Sequence, residues 1–163
     1  MENQDSFIHE TTPDIDVFFM KEALKQAKRG FDQLEVPVGA VLVHNGQVIA
    51  KGYNQVELLK DATAHAEMIC LTSGSSYLEN WRLLESTLYC TLEPCTMCAG
   101  AMFLSRIKRL VYGAPDLRHG AGGSWINLFE EKHPTHQIEV KGGVLEAECA
   151  DLMRKFFEMR REK

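Results

Sequence analysis

The sequence lacks the long apolar run that a membrane-spanning helix requires. No stretch approaches the roughly 18 consecutive apolar residues that such a helix needs. Residues 1–13 are polar and acidic, without the basic and apolar regions of a secretory signal. Repeats and low-complexity segments are also missing. We therefore expect a cytoplasmic protein with no membrane partner.

Basic residues are in the minority. The chain has 18 Lys and Arg against 23 Asp and Glu, for a net charge of −5, whereas general nucleic-acid-binding domains are typically basic. Residues 1–16 contain five acids and no basic residue, so the rest of the chain is neutral overall. Residues 105–119 and 154–163 each carry a net charge of +3. These two segments are either solvated surface or a nucleic-acid contact.

The length of 163 residues suits one domain. We assign residues 1–12 to a flexible acidic tail and residues 13–163 to a single domain. Hydrophobic periodicity and turn residues predict helices 13–29, 64–71, 96–104 and 146–160 and strands 38–43, 48–53, 87–92, 109–113 and 138–140. Gly30 is the predicted stop of the first helix, and Asn45-Gly46 is typical of a type I′ hairpin turn. This order predicts an α/β fold with a mixed sheet covered by helices on both faces.

Two of the five cysteines form a C-x-x-C pair, Cys95 and Cys98, at the start of a predicted helix. A spacing of three residues points both sulfurs the same way, and a helix N-terminus favours thiolate, the form that binds metal. Taken alone, the pair fits a metal site, a redox pair or two core residues.

His65 also lies at a predicted helix start. Together with the two cysteines it makes a three-ligand zinc site with one position open for water, as in catalytic zinc sites. Glu67, two residues later, could take a proton from that water. Taken singly, His65 could be a core histidine and Glu67 a surface carboxylate.

The three other cysteines are interpreted as core thiols. Cys90 has one alternative role, because as a fourth ligand it would close the zinc site. Cys70 and Cys149 are interpreted as buried structural thiols.

The combined pattern His-x-Glu followed by Pro-Cys-x-x-Cys is the known signature of zinc-dependent nucleoside deaminases. From residue 35 to the C-terminus, about four fifths of the chain, the sequence resembles the bacterial tRNA-specific adenosine deaminase family. The resemblance is carried by residues 35–40, 63–67, 91–95, 97–102, 105–107, 112–114, 116, 143–145, 149 and 156–157. Ala62, Thr135 and Glu158 depart from the family pattern.

The resemblance implies a cytidine deaminase-like three-layer α/β/α sandwich with a mixed five-stranded sheet. It further implies a homodimer, one Zn²⁺ per subunit, no nucleotide cofactor, and conversion of the wobble adenosine of a tRNA anticodon loop to inosine. His65, Cys95 and Cys98 would bind the zinc, and Glu67 would be the catalytic proton shuttle.

The resemblance also implies substrate contacts. Asn54 and Asp116 would bind the nucleotide, although without the family a turn residue and a loop solvator would be the favoured interpretations. The RNA contacts that we assign are Arg106, Phe157, Arg160 and Arg161.

Two other functions remain open on the sequence. The first is a zinc-dependent deaminase of a free nucleobase or nucleoside, which would not need the two basic segments. The second is a zinc-stabilised RNA-binding module without catalysis, in which Glu67 would have no purpose.

Overall fold

The computed structural model describes residues 14–163, so the tail assigned to residues 1–12 lies outside the description. The helices are α1 (Ile15–Asp32), α2 (Val56–Leu59), α3 (Ala66–Leu78), α4 (Thr96–Leu104) and α5 (Glu146–Arg161). The strands are β1 (Gly39–His44), β2 (Gln47–Tyr53), β3 (Ser86–Leu92), β4 (Arg109–Ala114) and β5 (Glu139–Lys141). Among these residues, no helix has the length and apolarity to cross a bilayer.

The five strands form one mixed sheet in the order β2-β1-β3-β4-β5. β1 pairs antiparallel with both β2 and β3, whereas the β3–β4 and β4–β5 pairs are parallel. Asn45 and Gly46 have φ values of 50° and 74°, and a type I′ turn requires positive φ at both central residues. The predicted hairpin and mixed sheet are therefore confirmed.

Helices cover both faces of the sheet. Val41 and Val43 of β1 pack with Phe19 and Met20 of α1 and with residues of α5. The alternate residues of β1 pack with α3 and α4 in a second buried cluster. Because side chains alternate across a strand, one apolar strand serves two helical layers, and the predicted three-layer architecture is confirmed.

The predicted bounds of α1 are wrong at both ends. The helix begins at Ile15, where the Asp14 carboxylate accepts the Asp16 amide at 2.9 Å as an N-cap. It continues past Gly30 to Asp32. Gly30 is not the stop, because it is buried within the helix, which ends at the C-cap residue Gln33.

Two further differences concern α3 and α2. α3 runs to Leu78, seven residues beyond the predicted end, through a Ser- and Gly-rich segment whose polarity hides the helical period. Gly74 in that segment is buried against Leu42. Helix α2 is absent from the prediction.

Candidate active site

The candidate site lies where β3 ends and where α3 and α4 begin. Cys95 is the N-cap residue of α4, and His65 is the N-cap residue of α3. Both have extended backbones, with ψ values of 176° and 151°, so their side chains leave the helices at the ends rather than along the sides. Pro94 separates β3 from α4 and fixes this entry.

The three predicted ligands come together. The Nδ1 atom of His65 lies 3.6 Å from the Sγ atom of Cys95 and 3.5 Å from that of Cys98. A tetrahedral zinc ion with Zn–S bonds of about 2.3 Å and a Zn–N bond of about 2.0 Å places N and S about 3.5 Å apart. The donor set and its spacing therefore fit zinc.

The electrostatics of the cluster favour a thiolate. The hydrogen bond with the Cys98 thiol and the neighbouring His65 ring lower the pKa of Cys95 to about 3. The pKa of His65 is raised in return by its hydrogen bond with Cys95. Zinc requires thiolate sulfur and a neutral imidazole, so binding the ion is coupled to release of protons from the cluster.

Cys90 is not a member of this cluster. Among the described residues, the His, Cys, Asp and Glu side chains that come close enough to share an ion are His65, Cys95 and Cys98. Cys90, like Cys70 and Cys149, is buried in the core. A tetrahedral ion on three protein ligands keeps one position for water or substrate.

His65 and Cys95 line a cavity of about 480 Å³, which is also lined by Asn54, Glu67 and Asp116, and Cys98 is buried behind them. Glu67 lies in the first turn of α3 and is only 4% exposed. Burial raises the pKa of its carboxyl group. Asn54 directly follows β2, and its backbone N–H donates to the Val38 carbonyl at 3.0 Å. The structure thus brings together the predicted ligands, the predicted shuttle and both predicted nucleotide contacts.

Two buried carboxylates in the cavity wall were missed by the sequence analysis. Glu35 accepts the amide N–H groups of Glu57 at 3.1 Å and Leu58 at 2.6 Å, and so caps the short helix α2. Glu93 holds the loop that contains Asp116. Both carboxylates bind backbone amides more than 20 residues away, so no local sequence motif indicates their role. Glu35 and Glu93 were noted in the sequence only as part of the segments 35–40 and 91–95 that carry the family resemblance.

The four predicted RNA contacts do not form one group. Arg160 lines a shallow depression together with Lys60, Glu35 and Glu57, next to the cavity. Its guanidinium lies 5.9 Å from the ring centre of Phe156, and Phe157 is exposed on the same helix.

Arg106 lies elsewhere. It follows the C-terminal end of α4, about 13 Å along the helix axis from Cys95 at 1.5 Å per residue. There its guanidinium donates to the Phe103 carbonyl at 2.8 Å.

Much of the charge in the two basic segments is neutralised locally. Arg109 pairs with Asp16, and Lys108 pairs with Glu85. In α5, Arg154 and Lys155 both pair with Asp151. Within residues 14–163, Arg160 and Arg161 form no ion pair, so the end of α5 retains its positive charge.

A sandwich of this topology, with a zinc-binding trio beside a buried glutamate, defines a zinc-dependent deaminase. The profile of the family described as the cytidine and deoxycytidylate deaminase zinc-binding region matches residues 13–114. The tRNA-specific adenosine deaminase of Bacillus subtilis (strain 168) is 48% identical over 149 residues, which cover 91% of this chain and 92% of that protein. The chain belongs to the tRNA-specific adenosine deaminase family.

Two more comparisons agree with this assignment. The chloroplastic tRNA(adenine(34)) deaminase of Arabidopsis thaliana is 53% identical over 162 residues, although the match spans 90% of this chain and only 12% of that much longer protein. A solved structure from a study of A-to-I editing by tRNA:A34 deaminases has a TM-score of 0.79 and 43% identity. It covers 83% of this chain and 98% of that one. The cytidine deaminase-like fold is thereby confirmed.

Proposed function

We propose that this chain deaminates adenosine to inosine at the wobble position of a tRNA anticodon. The observation that carries the proposal is that the cluster of His65, Cys95 and Cys98 lies at a cavity that Glu67 also lines. The names of its relatives support tRNA as the substrate, since the chain covers 92% of the Bacillus subtilis enzyme.

His65, Cys95 and Cys98 would hold one zinc ion. When bound, zinc lowers the pKa of a coordinated water from 15.7 toward about 7, which makes a nucleophile available at neutral pH. The three side chains supply two negative charges, so they balance the ion without a further carboxylate.

Glu67 is assigned the proton transfers. The reaction adds water to C6 of adenine and releases ammonia, so a proton must reach the ring nitrogen N1 and another must reach the leaving amino group. Glu67 lies in the cavity beside the ligands and is shielded from bulk water. A single carboxyl group in that position can accept the proton of the attacking water and deliver it to the base.

Asn54 and Asp116 are assigned to the target nucleotide. The Asn54 amide offers both a donor and an acceptor at the cavity wall. Asp116 lies on the opposite loop, where its Oδ1 atom accepts the amide N–H groups of Arg118 at 3.1 Å and His119 at 3.2 Å. An adenosine in an anticodon loop is unpaired, so turning it into the cavity costs little.

The end of α5 is assigned to the RNA around that nucleotide. Arg160 supplies charge next to the cavity, Arg161 follows it at the end of the helix, and the exposed ring of Phe157 offers a face for stacking. We keep Arg106 as a fourth contact, which must reach a different part of the RNA because it lies at the far end of α4.

We further propose that residues 13–163 form one domain, that two chains form a homodimer, and that the protein acts in the cytoplasm. Trp81, Leu84 and Leu104 are exposed apolar side chains. Their two segments lie together, because the Leu83 amide donates to the Ser105 carbonyl at 2.7 Å. An exposed apolar surface of this kind supports the dimer. Sedimentation of the full chain should give the mass of two copies. Cell fractionation should place the protein with the soluble cytoplasmic enzymes.

The test is deamination of an anticodon stem-loop that carries adenosine at the wobble position. Nucleoside mass spectrometry should show inosine from this RNA, and none from the same stem-loop with guanosine at that position. Free adenosine, cytidine and guanine should react poorly in parallel. A zinc-loaded enzyme that leaves the stem-loop unchanged would refute the proposal, and faster turnover of a free base would replace it with the small-molecule alternative.

A further inference from the structure

Glu93 has a buried carboxylate, only 2% exposed, that is surrounded by donors from a distant loop. Its Oε1 atom accepts the Asp116 amide at 3.1 Å, and its Oε2 atom accepts the amides of Gly122 at 2.8 Å and Ser124 at 3.1 Å. The Ser124 hydroxyl also donates to Oε1. Both oxygens are thus committed to the loop of residues 115–124 after β4, which we call the β4 loop.

The β4 loop approaches Glu93 too closely for ordinary side chains. A Cβ atom on Gly120 would lie 2.3 Å from the Oε2 atom of Glu93 and 2.5 Å from the Asp116 carbonyl oxygen. The β4 loop is also bound to Pro94, the residue after Glu93, because the Ala121 amide donates to the Pro94 carbonyl at 2.8 Å. The segment that leads into the ligand Cys95 therefore holds the loop by side chain and by backbone.

The β4 loop forms one wall of the cavity. Asp116 and His119 line the space into which His65 and Glu67 also open. Glu93 accepts the backbone amide of Asp116 itself. The position of the β4 loop relative to the ligand cluster therefore depends on the hydrogen bonds that Glu93 accepts. Glu93 uses its oxygens for the loop and contributes none to the ligand cluster.

We propose that Glu93 is a positioning residue for substrate, which holds the β4 loop so that Asp116 meets the target nucleotide. This inference rests on the proposed function. Glu93 acts through the loop and through Asp116, so its loss should weaken RNA engagement while the zinc site stays intact.

The central variant is Glu93→Gln, which keeps size and shape but turns one acceptor into a donor that faces N–H groups. Hydrogen exchange at the amides of Asp116, Gly122 and Ser124 should become at least about tenfold faster, because charge-assisted hydrogen bonds are among the stronger ones. KM for the stem-loop should rise by about tenfold or more on the same grounds, with a smaller change in kcat and with full zinc content. Gly120→Ala should reproduce this pattern from the loop side.

A matched control is Asp14→Asn, which makes the same acid-to-amide change at another carboxylate that accepts a backbone amide. The Asp14 carboxylate accepts the Asp16 amide at 2.9 Å at the start of α1, outside the cavity wall. This substitution should leave KM and the exchange of the β4 loop unchanged.

A double-mutant cycle separates positioning from general destabilisation. If Glu93 acts through Asp116, the combined Glu93→Gln and Asp116→Ala variant should bind RNA about as weakly as the Asp116 variant alone, because residues that work through one another are not additive. Fully additive losses, unchanged KM in Glu93→Gln, or loss of zinc together with faster exchange throughout the protein would each overturn the proposal. An inactive wild-type enzyme would instead refute the proposed function, and the exchange experiment would still decide whether Glu93 anchors the loop.

Discussion

The Arg109 guanidinium forms a bidentate ion pair with the Asp16 carboxylate, in which Nη1 donates to Oδ1 at 2.7 Å and Nη2 donates to Oδ2 at 2.8 Å. The same carboxylate accepts the Tyr89 hydroxyl at 2.8 Å and the Lys141 ammonium at 3.1 Å. One buried acid in the first turn of α1 therefore joins that helix to β3, β4 and β5. The Arg109 hydrogen bonds, and then those of Tyr89 and Lys141, hold the pKa of Asp16 well below its usual range.

Asp16→Asn should lower the free energy of unfolding by about 2–4 kcal/mol, because removing one partner of a buried ion pair leaves the other charge uncompensated. Urea denaturation followed by circular dichroism measures the change. The matched control is Asp151→Asn, which breaks ion pairs on the exposed surface of α5 and should cost far less. Equal losses in the two variants would show that the Asp16 network adds nothing beyond surface charge.

The Asp16 network also predicts an acid dependence of stability. The pKa of Asp16 is lower in the folded chain than in the unfolded chain. At pH values between these two pKa values, the unfolded state therefore binds more protons than the folded state. The stabilisation is complete above the unfolded value of about 4 and is lost as the pH falls toward the folded value. The stability difference between wild type and Asp16→Asn should be constant from pH 6 to 8 and shrink steadily below about pH 4. A difference that does not vary with pH would contradict this assignment.

The parts of the molecule that could be predicted from sequence are those specified by neighbouring residues. The Asn45-Gly46 turn and the bounds of α4 follow from local turn and helix signals. The ligands are also local, since Cys95 and Cys98 share one helix start. That His65 meets them could be inferred only from the chemistry of a shared metal and not from periodicity.

The parts that could not be predicted depend on contacts between distant residues. The N-cap residue of helix α2 makes no side-chain cap, and two of the helix amides are satisfied by Glu35 from the segment between α1 and β1. The net charge of +3 in residues 154–163 overstates the exposed positive surface, because Asp151, which lies just before this segment, pairs with Arg154 and Lys155 and cancels one of their two charges. Such pairings appear only once the chain is folded.

Replacing a ligand should remove the metal, whereas replacing a core cysteine should not. We expect Cys95→Ala and His65→Ala to lose bound zinc, because two remaining ligands hold the ion poorly. Cys90→Ala should retain one zinc per chain, since Cys90 lies in the core outside the ligand cluster. Elemental analysis of the purified variants measures this. Loss of zinc in Cys90→Ala with normal folding would restore Cys90 as a fourth ligand.

Glu67→Gln should keep zinc and lose activity. The amide fills the same space but cannot carry protons, and proton transfer by a positioned side chain contributes about 10²–10⁴-fold to rate. Single-turnover deamination of the stem-loop, together with metal analysis, measures both properties. Zinc loss in this variant would mean that Glu67 holds the metal site together instead of moving protons.

The exposed charge at the end of α5 should account for part of the salt dependence of RNA binding. Arg160→Gln with Arg161→Gln removes two charges from the last turn of α5. Affinity for the stem-loop should therefore fall, and the slope of log K against log salt should flatten by about 1.5 if both contact phosphate. The matched control, Arg154→Gln with Lys155→Gln, removes the same charge from residues already paired with Asp151. Binding is measured in the Glu67→Gln background so that no RNA is converted. Equal flattening in both double variants would mean that net charge alone draws the RNA, whereas flattening only in the first places the phosphate contact beside the cavity.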